Sequence, residues 1–433
     1  MSALNRSVPR STEERWPAAV PSVRSRQSPL PRVSYVMSRF PKLTETFVLY
    51  EILALEKIGI DVQIYPLLRE QQAVSHPEVV KLLPRVRFLP FLSLPIVRAH
   101  LHFLRRKPAA YLGALWDVLR GTWGSANFFF GALGIFPKVV QFAHEIQKNG
   151  IGHIHCHFAS HPALAGFIIR RLTGIPFSFT AHGSDLHVER RFLNQKVREA
   201  AFVVAVSAYN KELIVRECGE DIRAKIHVIH CGVDPEVFRR LPHRVNQGPA
   251  RMLSVASFEE VKGHEYLVEA CGILRARGIP FVCDFVGDGP LRGAVENQIK
   301  QANLQEVFRI HDARSRPEIA RMMSEADIMV LPSVPTRSGK REGIPVVLME
   351  AMASELPVVS SELSGIPELV DNGRTGLLAP PRDVGALADA LQKLLQDSEM
   401  RSRMGRLGRE KILREFNLQR SVEKLADLFG AKQ

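Results

Sequence analysis

Lys340-Arg341-Glu342-Gly343-Ile344-Pro345-Val346-Val347-Leu348-Met349-Glu350-Ala351-Met352-Ala353 lies between two short apolar runs, Asp327-Ile328-Met329-Val330-Leu331-Pro332 and Leu356-Pro357-Val358-Val359-Ser360. Such runs read as neighbouring strands, and the segment between them as the loop and crossover helix of a βαβ unit. Pro345 suits the first helical position, where its missing N–H costs nothing, and Gly343 lets the backbone approach a ligand. The helix N–H groups then point toward the carboxyl end of the sheet, where α/β proteins bind ligands. Glu342 falls just ahead of the helix and Glu350 about one turn inside it. A carboxylate is a poor partner for phosphate and a good acceptor from hydroxyls. The pairing therefore fits a ligand with both phosphate and polyol, which describes a sugar nucleotide.

The same rhythm recurs on both sides. Ahead of this unit come the strand Arg251 to Ser257 and Lys262 near the start of a helix ending at Arg277, where an ammonium can neutralise diphosphate. The strand Phe281 to Val286 follows, with the loop Gly287-Asp288-Gly289, whose glycines permit close backbone contact. From Asp383 amphipathic helices run to the end of the sequence. Residues 236–249, rich in Arg, Pro and polar groups, read as a linker. The first half opens on a strand, Arg32 to Met37, then a helix capped by Thr44 and running from Phe47 to Gly59, then a strand from Asp61 to Pro66. It holds no GxGxxG, which counts against a dinucleotide-binding dehydrogenase. Its later strands are Ile151 to Phe158, Pro176 to Thr180 and Ala201 to Ser207. The second of these ends on Ala181-His182-Gly183-Ser184-Asp185, which sets His182 at the crevice, with Gly183 giving room for a ligand. His153, His155 and His157 alternate at period two and share one face. With no acidic or cysteine partner to complete a metal shell, His155 and His157 read as lining the cleft or satisfying backbone groups.

Glu342 and Glu350, with seven residues between them, are followed by Ser364-Gly365-Ile366-Pro367-Glu368-Leu369-Val370 and Gly373-Arg374-Thr375-Gly376-Leu377-Leu378. Together these resemble the paired glutamates and flanking motifs of the retaining glycosyltransferases of family 4, in particular members that build bacterial exopolysaccharides of the colanic-acid type. The likeness covers nearly the whole chain after the first thirty or so residues. It implies a GT-B fold: two Rossmann-like, doubly wound α/β domains facing across a cleft. Residues 32–235 would form the acceptor-side domain, residues 250–410 the nucleotide-sugar domain, and residues 411–433 a terminal helix crossing back to the first.

The resemblance also implies roles. His182 would approach the donor sugar at its primary hydroxyl and also reach phosphate. Glu342 would accept from the donor sugar and Glu350 from the ribose, while Lys262 and the N–H groups near Gly343, Ile344, Val346 and Val347 hold the diphosphate. Gly287 and Gly289 would lie beside the nucleotide, and His311 in the stretch that meets the base. The family carries Gly-Arg where this chain has Ala256-Ser257, so half of the positive phosphate clamp is missing; Ser257, Arg337, Lys340 and Arg341 are the candidates to replace it. The stretch Phe40 to Thr46 would face the cleft as a lid or acceptor element with Lys42 and Glu45 as its polar groups, and Asp185 would orient His182 or the donor. The implied activity is front-face transfer, with retention, from a UDP- or GDP-linked sugar to a glycan or polyprenyl-linked acceptor, with no metal and no cofactor. The alternative is a subunit of a polysaccharide assembly complex that binds nucleotide sugar or glycan without turnover.

Apolar content of 45% and charged content of 24% are those of a soluble globular protein. Five cysteines, at 156, 218, 231, 271 and 283, include no CxxC pair and indicate neither a disulfide framework nor a zinc module, so a cytoplasmic location follows. The formal charge of +13 fits phosphorylated small molecules or anionic lipid; a nucleic-acid partner has only that charge behind it and is not expected. Residues 1–31 read as a disordered basic extension rather than a signal peptide. No run reaches the roughly 20 apolar residues that cross a bilayer. Phe88 to Arg106 and Trp123 to Val140 carry apolar faces flanked by Arg and Lys, which suit either peripheral contact with an anionic membrane, at the inner face of the plasma membrane, or a domain core.

Overall fold

The computed structural model describes residues 32–41, 45–70, 78–90, 93–240 and 248–430. The basic extension, Lys42, the cap expected of Thr44 and residues 241–247 of the linker lie outside the described residues. The apolar runs become two six-stranded sheets. The first contains β1 (Val33–Phe40), β2 (Val62–Arg69), β3 (His153–His157), β4 (Phe177–Ala181), β5 (Phe202–Ala205) and β6 (Ile226–Val228), in the order β2-β1-β3-β4-β5-β6. The second contains β7 (Ala250–Val255), β8 (Phe281–Val286), β9 (Phe308–His311), β10 (Ile328–Leu331), β11 (Val358–Ser361) and β12 (Gly376–Ala379), in the order β12-β11-β10-β7-β8-β9. All the paired strands are parallel. Strand order reverses beside β1 and beside β7, the switch points at which open α/β sheets form their crevices. These are two doubly wound, Rossmann-like units, each with its own apolar core.

The helix of the deciding stretch spans Val346–Ala353. Pro345, expected at its first position, stands one residue earlier as the N-cap, with an extended ψ of 122°. Its fixed φ of −65° suits either position.

The chain returns to the first unit at its end. Helix Ser398–Glu415 packs on helix Val346–Ala353 in the second unit, so residues 411–415 still belong there. At the crossing Val233 bridges Asn417, and a Cβ on Gly232 would stand 2.3 Å from the Leu418 Cα, which only glycine tolerates. Helix Leu418–Gly430 then buries Val422, Leu425, Ala426 and Phe429 in a core shared with Val33, Ile52 and Leu55.

Three packed helices, Leu94–Arg106, Pro108–Thr122 and Ala126–Lys148, cover the first sheet. The region has both a buried and an exposed apolar face. Phe103, Val118, Phe128 and Phe142 enter the core, whereas Leu94, Trp116, Trp123 and Phe130 are exposed. Helix Ala126–Lys148 is, by length and composition alone, apolar enough to cross a membrane, contrary to expectation. It nevertheless buries Lys138, whose ammonium donates to the Leu67 carbonyl at 2.7 Å.

Phe429 ties the terminal helix to the first core, with ring centroids 5.2 Å from His153 and 6.0 Å from Phe202. Phe429→Ala should cost about 3 to 5 kcal/mol and lower the urea midpoint of the first unit. An unchanged midpoint would show that the helix is not part of that core.

Candidate functional site

Between the carboxyl edges of the two sheets lies a cleft of about 440 Å³. Its walls meet at two glycines. A Cβ on Gly343 would stand 2.3 Å from the His182 carbonyl oxygen, and one on Gly183, whose φ is 136°, 3.1 Å from the Gly343 Cα. The room at Gly183 therefore admits the other domain's backbone rather than a ligand. Behind the loop, the Asp185 carboxylate accepts from the N–H groups of Ala159 at 2.6 Å, His182 at 3.1 Å and Gly183 at 2.7 Å. Asp185 is thus an internal strut that orients the His182 turn, and it does not line the cleft. A second domain contact lies nearby, where Glu368 accepts from the N–H groups of Ala208 and Tyr209, both at 2.8 Å, at the start of helix Ala208–Cys218. Burial alone would raise the Glu368 carboxyl; the His230 ring and these two amides outweigh it and hold the group below its ordinary value.

The cleft gathers His182, Lys262, Glu342 and Glu350. Gly343, Ile344, Val346 and Val347 also line it, as do Ser257, Lys340, Arg341 and Glu45. Lys262 and Glu342, given separate parts of the ligand by the sequence reading, are each other's partners at 2.7 Å. The Lys340 ammonium is held by Glu259 at 2.6 Å. Arg337 is not among the lining residues; its backbone N–H donates to Glu260 at 3.1 Å.

Three further groups have settings that the sequence reading does not include. Gly287 and Gly289 do not line the cleft; a Cβ there would stand 2.0 Å from the Ala256 oxygen and 2.7 Å from the Phe258 nitrogen. They let two loops of their own sheet cross. His311 is also outside the lining, its ring 2.8 Å from Asp284, because a buried carboxylate requires partners. Finally, the histidine row does have an acidic neighbour: ligand atoms of Glu51, His155 and His157 lie within 4.8 Å of one another. Both ring nitrogens of His155 are already engaged, with Ser178 at 2.8 Å and Thr180 at 3.0 Å. His157 bonds His182 at 3.0 Å and Glu51 at 3.1 Å. These rings are buried and bonded to side chains, not to backbone groups.

Two arginines were missed. Arg314 and Arg316 line the cleft just beyond β9. The Arg316 guanidinium lies 3.8 Å from the Tyr50 ring centroid of the first unit and 4.9 Å from that of Phe238. The signal was present in Ser315-Arg316-Pro317-Glu318, a capping box that places Arg316 at a helix start facing the crevice.

Residues 114–237 match the family Glycosyltransferase Family 4, and residues 238–411 match Glycosyl transferases group 1. The chain is 30% identical to the amylovoran biosynthesis glycosyltransferase AmsK of Erwinia amylovora, over 92% of this chain and 98% of that one. It is also 30% identical to the putative colanic acid biosynthesis glycosyltransferase WcaL of Escherichia coli, over 92% and 100%. Among solved structures, Anabaena HepE in complex with UDP and glucose superposes with a TM-score of 0.70 at 15% identity, over 93% of this chain and 100% of that one. Sucrose-phosphate synthase of Thermosynechococcus elongatus gives 0.70 at 20% identity, over 92% and 98%. These two likenesses concern the fold, which is GT-B.

Burial pushes the Glu350 carboxyl from its ordinary 4.5 up to about 7, with Arg316 pulling the other way. Since the folded value is the higher, this contribution to stability is whole below about pH 4.5 and lost as pH rises through about 7. Glu350→Gln cannot ionise and should remove that part of the decline. Parallel melting-temperature curves for the two proteins across this range would show that Glu350 titrates normally.

Proposed function

The chain belongs to glycosyltransferase family 4, and from that premise we propose that it transfers a sugar, with retention, from a UDP- or GDP-linked donor to a glycan or polyprenyl-linked acceptor. It is a glycosyltransferase of exopolysaccharide biosynthesis. The observation that carries the finer reading is the convergence of a carboxylate pair, a lysine and a helix start on one cleft with His182. Lys262 and the N–H groups at the start of helix Val346–Ala353 would hold the diphosphate. Glu350 would accept from ribose and Glu342 from the donor sugar. The acceptor hydroxyl would attack from the face the diphosphate leaves, with orientation and electrostatic stabilisation of the leaving group lowering the barrier. Because Lys262 and backbone amides supply positive charge there, we propose that transfer needs neither metal nor cofactor. UDP is the first nucleotide to try, since the HepE structure contains it.

A polyprenyl acceptor would lie in a membrane. Exposed Leu94, Trp116, Trp123 and Phe130, with exposed Arg98, Arg105, Arg106 and Arg120 around them, support peripheral docking to an anionic surface on the cytoplasmic side.

A thermal-shift panel of UDP, GDP and ADP tests the donor class, because a ligand bound to the folded state raises apparent stability. Lys262→Ala should then weaken the preferred nucleoside diphosphate roughly 10- to 100-fold by calorimetry. Glu350→Gln should weaken free nucleotide and donor together. Glu342→Gln releases Lys262 from its ion pair, so free nucleotide should bind at least as well while initial transfer rates fall. Equal loss of free-nucleotide binding in both glutamate variants would reject this division. Binding without transfer to any acceptor in a broad panel would instead make the chain a sugar-nucleotide-binding subunit.

A further inference from the structure

A part-buried hydrogen-bond chain runs from the first domain's core to the cleft. Tyr35 donates its phenol proton to Glu51 at 2.7 Å, and the same carboxylate oxygen lies 3.1 Å from His157 Nε2. His157 Nδ1 lies 3.0 Å from His182 Nε2. His182 Nδ1 is 3.9 Å from the Cys231 sulfur, and both side chains line the cleft. The His182 ring is held between Phe47 and Phe158, with centroids 4.6 and 4.7 Å away.

The donors and acceptors along this chain can be assigned in order. A carboxylate can only accept, so Glu51 takes hydrogens from Tyr35 and from His157 Nε2. In the tautomer that donates from Nε2, His157 offers a lone pair at Nδ1, which takes the hydrogen of His182 Nε2. Burial holds His182 well below its ordinary value, so the ring carries one proton, and that proton is committed to Nε2. Nδ1 is left bare. Cys231 agrees with this polarity: burial pushes its thiol up to about 12, so it keeps a hydrogen to offer.

We infer that Glu51, acting through His157, is a positioning residue that fixes the tautomer of His182 so that a bare Nδ1 faces the cleft and accepts a hydrogen bond from a substrate hydroxyl. The inference deepens the sugar-transfer reading and rests on it for the identity of the ligand. It also decides between the two partners the resemblance left open. A bare nitrogen repels a phosphate oxygen and welcomes an O–H, so His182 belongs to the sugar. The thiol is a weak donor that a sugar hydroxyl displaces readily.

The test begins without substrate. In the full chain labelled with nitrogen-15 histidine, a long-range proton–nitrogen correlation spectrum should show His182 protonated at Nε2 and bare at Nδ1, its signals assigned by their loss in His182→Asn. Glu51→Gln keeps the shape of the side chain but can donate as well as accept, so both His182 tautomers should become populated. In the same variant, affinity for UDP or GDP should match wild type, while the rate constant for transfer falls roughly 10- to 100-fold. A wild-type His182 protonated at Nδ1 would overturn the inference. So would a Glu51→Gln variant with an unchanged tautomer and rate. If wild type neither binds nucleotide nor transfers sugar, the functional reading fails on its own, and the spectrum still reports on the tautomer.

Discussion

Between the two sheets' carboxyl edges, Gly183 and Gly343 meet backbone to backbone with no side chain between them. Each glycine has a cleft-lining neighbour in sequence, His182 on one wall and Glu342 on the other, so the backbone contact sets how far apart these groups stand. Any larger residue at either position would have to push the walls apart before it met a ligand. The contact is reinforced by Glu368 reaching across to the first turn of helix Ala208–Cys218, where two amides and the helix dipole favour a carboxylate. Ser207 caps the same helix through Asn210, so one short stretch both begins a helix and receives the opposite domain.

The cleft's electrostatics follow from this closeness. Lys262 is matched by Glu342 and Lys340 by Glu259, while Arg316 faces Glu350 and spreads its charge over two aromatic rings. Cations and carboxylates of the cleft therefore largely answer one another. A ligand with phosphate at one end and hydroxyls at the other can take over both halves of such pairs, phosphate claiming the cation and hydroxyls the carboxylate. A simple polyanion can satisfy only the cations and leaves the carboxylates facing it.

Much of the fold was legible because its signals are local. Short apolar runs punctuated by Gly and Pro gave the strands of both sheets, and the position of a polar residue after a strand put His182, Lys262, Glu342 and Glu350 on the crevice. What escaped depends on who meets whom across the chain. Glu51 and His157 are separated by 106 positions, and nothing in either helix or strand pattern pairs them. Gly287 and Gly289 are required by the loop that follows β7, a crowding that composition does not carry. His311 points to a buried aspartate for the same kind of reason. Arg316 was within reach, since its capping box is written in four consecutive residues.

Helix Leu418–Gly430 has a bearing on how the protein is made. The ribosome releases the first domain's strands early, yet part of the apolar surface around Val33, Ile52 and Leu55 finds its cover only after the whole second domain has emerged. During synthesis that surface stays open for the time it takes to translate nearly half the chain. Nascent first domains are therefore exposed to premature association with one another, and a chaperone that shields this patch would act before, not after, the second domain folds.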